Sequence, residues 1–166
     1  MKKTATKTAS TVLLLAVVAG ALFLFTPLGN ALRGKLGGFD RGHFEAVVAQ
    51  VRSMSLAAGE EVQLRLDDPS DPTSLRFLKP GETFHRGQGA GNVWARLTPD
   101  GELTVVIETK DRGHAGEYGF AYSDVPLTPQ PFGGGWLMID VPGHINIVQP
   151  KMKIDDHWWK VLNNLD

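Results

Sequence analysis

The stretch VWARLTPDGELTVVIET, Val93–Thr109, decides how the rest of this chain is read. Two runs of β-branched and aromatic residues, VWARL and LTVVIE, flank Thr98-Pro99-Asp100-Gly101. Proline presets the backbone angle that a turn needs, and Asp-Gly supplies the positive-φ position that closes a hairpin. Alternate residues of a strand share a face, so the spacing predicts two antiparallel strands.

The same period continues on both sides. Downstream, Tyr118–Tyr122 (YGFAY) reads as a strand, Val125–Gly135 as a Pro/Gly-rich loop, and Trp136–Val141 and His144–Val148 as two strands around Pro142-Gly143. Lys151–Val161, with Trp158 and Trp159, reads as a further strand or a short terminal turn. Upstream, Val62, Leu64 and Leu66 alternate with Gln63 and Arg65 in a half-buried strand. Asp67–Thr73 (DDPSDPT) is a turn cluster, Leu75–Leu78 a short strand, and Arg86–Asn92 (RGQGAGN) a loop.

Before Gly59 the period becomes helical. Phe44, Val47, Val48, Val51 and Met54 fall on one face, predicting an amphipathic helix over about His43–Ala57. Asp40 suits its N-cap and Gly59 its C-terminal cap. Residues 33–42 (RGKLGGFDRG) read as a Gly-rich tether.

Thr8 to Leu32 carries no charge, and Val12–Phe25 (VLLLAVVAGALFLF) is almost purely apolar, behind Lys2, Lys3 and Lys7. Ala9–Leu28 is long enough for a helix that must cross about 30 Å of hydrocarbon. The shorter run, with Pro27, Gly29 and Ala31 after it, also fits a cleavable signal peptide. Both readings place the rest of the chain outside the cytoplasm, because the positive residues stay inside. The expected organisation is therefore an anchor or signal peptide over 1–32, a tether over 33–42 and one extracytoplasmic domain over 43–166. Its expected class is α+β, an N-terminal membrane helix and then one amphipathic helix packed on an antiparallel sheet of about five to seven strands.

Composition narrows the function. Five basic residues and no acidic one lie up to Lys35, so of 17 Lys and Arg and 18 Asp and Glu the remainder keeps 12 against 18, a net of −6. Such a domain is a poor polyanion binder, and no nucleic acid partner is expected. With no cysteine, disulfides, thiol chemistry and lipidation at cysteine are excluded.

The FEAVVAQV helix, Tyr118–Asp124 (YGFAYSD) and Asp155–Val161 (DDHWWKV), coming after a membrane segment, resemble small uncharacterised membrane-anchored proteins of bacteria. The resemblance implies no activity, cofactor or site residue.

No motif of established chemistry stands out. His43, His85, His114, His144 and His157 include no H-x-H or H-x-x-x-H pair, so no metal is expected from spacing. Asp67, Asp68 and Asp71 lack the alternating order of a calcium loop. Gly87, Gly89 and Gly91 precede a strand rather than a helix, unlike a phosphate-binding loop. No G-x-S-x-G is present, so no catalytic residue and no cofactor is expected.

Tryptophan fills cores or anchors partners. Neighbours in a strand point to opposite faces, so one of Trp158 and Trp159 is expected to be partly exposed. The expected partner-binding positions are Trp158, Trp159 and the 86–92 loop with Gln88 and Asn92. The reading is a membrane-tethered interaction or assembly module, which has the membrane and another envelope protein as partners. A periplasmic hydrolase or metal-dependent enzyme built from His85, His114, His144 or His157 with nearby acids is the alternative. A secreted soluble binding protein is the outcome if the signal is cleaved.

Overall fold

A computed structural model describes residues 38–83, 91–111, 117–143 and 145–164. The apolar run and most of the tether, up to residue 37, lie outside the described residues. Among the described residues no helix is long and apolar enough to cross a membrane.

Helix α1 spans Arg41–Ser53, and Asp40 caps it by accepting the His43 N–H at 3.2 Å. It therefore starts two residues earlier than its apolar pattern suggests. It stops at Ser53, whose Oγ turns back to the Gln50 carbonyl at 2.7 Å, and Met54 is already extended. Gly59 does not cap it. At φ +80° this glycine sits in the turn before the first strand and donates its N–H to the Leu97 carbonyl at 2.7 Å. Phe39 is buried, so the last residues of the supposed tether belong to the domain.

Among the described residues nine antiparallel strands come next: β1 Glu61–Leu66, β2 Leu75–Phe77, β3 Asn92–Leu97, β4 Leu103–Asp111, β5 Glu117–Ser123, β6 Gln130–Gly133, β7 Trp136–Ile139, β8 Ile145–Val148 and β9 Trp158–Asn164. They make one sheet in the order β2-β1-β3-β4-β5-β9-β8-β7-β6. Among the described residues the architecture is thus α+β in a loose sense, one α-helix on a sheet larger than the five to seven strands expected. Part of the excess comes from Val125–Gly135, which is not all loop. Gln130–Gly133 pairs with β7, tolerating Pro131 because an edge strand does not need every N–H. The central hairpin forms as its sequence dictates, with Val93 opposite Ile107, Leu97 opposite Leu103, and Gly101 at φ +86°.

Strand alternation divides the apolar residues between two cores. On the outer face, Phe44, Val47, Val48 and Val51 of α1 pack over Val62, Leu64, Val93, Val105, Ile107, Phe120 and Trp158. On the inner face, Trp94, Val106, Ala121, Trp159 and Val161 pack with Ile139, Val141 and Val148. The second core exists because the sheet curls. The segment after β7 reaches back across the inner face: Arg96 Nη2 donates to Asp140 Oδ1 at 2.9 Å, and Gly143 N–H donates to Glu61 Oε1 at 3.0 Å.

Candidate functional site

Of the four positions singled out in the sequence, three are described, and all three are buried. Trp158 is 1 % exposed and Trp159 4 %. The two do point to opposite faces, but the expectation that one reaches solvent fails, since it presumes a sheet covered on one side only. Trp158 lies under α1, its ring 5.2 Å from Phe39 and 5.1 Å from Tyr122. Trp159 lies in the inner core with the Lys153 ammonium 6.0 Å over its ring. The fourth position, Gln88, lies outside the described residues.

Asn92 is buried at the head of β3 rather than displayed on a loop. Its Nδ2 donates to Glu108 Oε2 at 2.9 Å, and its Oδ1 accepts from Arg65 Nη1 at 3.3 Å. Trp94 Nε1 donates to the other carboxylate oxygen, Glu108 Oε1, at 3.3 Å. Glu108 is 3 % exposed, so this carboxylate is withdrawn from water and held by oriented N–H donors on the inner face. A fixed, shielded carboxylate can hold a positive group or accept a proton. Sequence reasoning missed it, although a signal was present. Glu108 is in phase with Thr104 and Val106, the inner-face residues of β4, so the hairpin register sends an acid into an apolar face.

A second polar cluster joins the end of α1 to the sheet. Tyr122 Oη donates to Asp124 Oδ1 at 2.8 Å and accepts from Arg52 Nη2 at 3.0 Å, while Arg52 forms an ion pair with Asp124. Asp124 Oδ2 accepts the Leu103 N–H at 2.9 Å. Burial, and then the bond to Asp124, holds the Tyr122 phenol above its ordinary value, so it remains a donor at neutral pH. At the other end of α1, Arg41 pairs with Asp155 and Glu45. These groups are engaged in fastening the helix.

The aspartates of the 67–71 turn are bound locally. Asp68 Oδ1 accepts the Ser70 N–H at 2.8 Å, Asp71 Oδ1 accepts the Thr73 N–H at 2.9 Å, and Asp67 pairs with Arg76. The three acids shape a turn and do not converge. His157 Nδ1 lies 2.8 Å from the Ser123 carbonyl, and His43 packs on Phe44. His85, His114 and His144 lie outside the described residues. Among the described residues no group of three His, Asp or Glu side chains is placed to hold a metal ion.

The sheet ends differently on its two sides. β2 lies at one edge and is partly buried. All four residues of β6, at the other edge, are exposed, with Phe132 at 46 %. From Val125 to Ile139 there is no charged residue, so this edge lacks the lysines or acids that commonly guard one. No protein-family model, curated protein or solved structure gives a significant match to the chain.

Proposed function

We propose that this chain is a membrane-tethered extracytoplasmic envelope protein, an interaction or assembly module that offers the free edge of β6 to a partner protein. The observation that carries this reading is the β6 edge itself, exposed along its whole length, uncharged, and carrying the exposed Phe132. An extended partner segment adds to such an edge through main-chain hydrogen bonds, and side chains beside it give selectivity. The apolar run Val12–Phe25 supplies the tether in this reading, and attachment raises the local concentration of the edge at the membrane.

Two measurements test it. Intact mass and membrane fractionation of the natively expressed protein should find the full-length chain in the membrane fraction. A soluble chain beginning after Ala31 refutes the tether and leaves a secreted binding protein. A photo-crosslinking residue at Phe132 should capture a discrete protein adduct that the same residue at Ser70, an exposed turn position, does not. Adducts at neither position refute the edge.

One observation favours a second reading as a periplasmic hydrolase or metal-dependent enzyme: the buried carboxylate of Glu108, oriented by Asn92 and Trp94. It requires histidines to meet that carboxylate, and a metal titration repeated on Glu108→Gln tests it.

A further inference from the structure

The helix covers only part of the outer face. Cross-strand pairing carries that face beyond α1 in a row across five strands: Tyr118 opposite Leu162, Leu162 opposite Ile147, Ile147 opposite Met138, and Met138 opposite Gln130. Paired residues of antiparallel strands share a face, so all five point the same way as Phe120, two residues along β5 from Tyr118. Ile147 is buried, Leu162 half-buried, and Met138 is 36 % exposed. The Lys160 ammonium stands 5.3 Å over the Tyr118 ring on the same face.

The chain enters the domain beside this row. Phe39 is buried, its ring 5.0 Å from Phe120 and 5.2 Å from Trp158, which fixes the point where the tether leaves the fold. Only Arg33 to Gly38 separate Leu32, the last residue of the uncharged stretch, from Phe39. At no more than 3.3–3.6 Å per residue, those six residues reach about 20 Å at full extension. Strands lie about 4.8 Å apart, so Met138, three strands from β5, is about 14 Å across the sheet from the Tyr118 position. A leash that short, attached to this face, keeps the face within reach of the bilayer into which it runs.

We infer that the accessible part of this outer face, Met138 and Gln130 with the half-buried Tyr118 and Leu162 on either side of the buried Ile147, rests on the lipid surface, with Lys160 and Tyr118 at headgroup level. The inference rests on the tethered reading above. An aromatic ring and a cation side by side suit the interfacial region, where aromatic side chains collect and lysine meets anionic headgroups. Arg33 and Lys35 add positive charge to the leash itself. With this face down, the β6 edge lies along the membrane plane, open to a neighbouring protein.

The absence of cysteine makes the test direct. Met138→Cys, Gln130→Cys and Ser70→Cys in the full-length chain are each labelled with an environment-sensitive fluorophore and reconstituted in phosphatidylglycerol/phosphatidylcholine vesicles. Flotation first establishes membrane attachment. Spin-labelled lipid quenchers should then quench the probes at 138 and 130, and not the probe at 70. Floating protein quenched alike at all three positions, or at none, overturns the lipid-facing row and leaves the tether standing. Protein that does not float overturns both. Far-UV circular dichroism of each variant before labelling confirms that the fold is kept, and agreement of the probes at 130 and 138 guards against a local effect of either one.

Discussion

Replacing Trp158 by alanine tests the two-core description most directly. The side chain is almost fully buried and touches Phe39, Phe44 and Tyr122. Taking about 200 Å² for a buried tryptophan at about 25 cal/mol per Å² gives roughly 5 kcal/mol. A compact unfolded state lowers this by roughly 10–40 %, to about 3–4.5 kcal/mol, in line with the ~3–5 kcal/mol seen for large aromatic-to-alanine changes in cores. With a urea slope near 2 kcal/mol per M, the midpoint should fall by about 2 M. The assay is urea unfolding monitored by far-UV circular dichroism, which does not depend on the removed fluorophore. Phe77→Ala, at a side chain 48 % exposed on β2, is the control and should move the midpoint far less. If Trp158→Ala leaves too little folded protein to titrate, Trp158→Phe supplies a smaller change at the same site. A Trp158 variant no more destabilised than Phe77→Ala would refute the buried outer core and restore an exposed, partner-binding tryptophan.

The remaining contacts set further expected outcomes. Gly143→Ala should destabilise by about 1–3 kcal/mol, because φ is +94° and the added Cβ meets the Trp94 ring at 3.2 Å; Gly81→Ala, also at positive φ but facing open space, should cost less in the same thermal melt. Glu108→Ala strands the Asn92 and Trp94 donors and should cost about 2–4 kcal/mol in urea, with Glu108→Gln milder because one acceptor oxygen survives. The Arg76 guanidinium, then the Lys79 N–H, holds the Glu82 carboxyl down at about 2 against an ordinary 4.5. A depressed folded-state value means stability that is present above pH 4.5 and lost as pH falls toward 2, so Glu82→Gln should flatten the urea midpoint across that window.

Local signals made much of the architecture readable. Turn chemistry at Pro99-Asp100-Gly101 located the central hairpin, and the shift from helical to alternating spacing near Gly59 separated α1 from β1. Other features depend on partners distant in sequence. Gln130–Gly133 carries a proline and a glycine and becomes a strand only because β7 lies beside it. The tryptophan pair alternates as expected, yet exposure depends on what covers each face, and the inner cover comes from Ile139 and Val141. The Glu108 network was half legible: the register gives its face, but not that Asn92 and Trp94 would reach both carboxylate oxygens.

The last described strand, β9, lies in the middle of the sheet, between β5 and β8. A polypeptide emerging from its N-terminus can assemble α1 and the strands up to β5 early, but the edge of β5 away from β4 then waits unpaired. The β6–β8 group also lacks its seat until Trp158–Asn164 arrives. The final strand is thus the keystone of both halves, and a chain interrupted before Trp158 leaves two open strand edges and neither core complete. Such pairing over long sequence separations slows folding and prolongs the exposure of those edges.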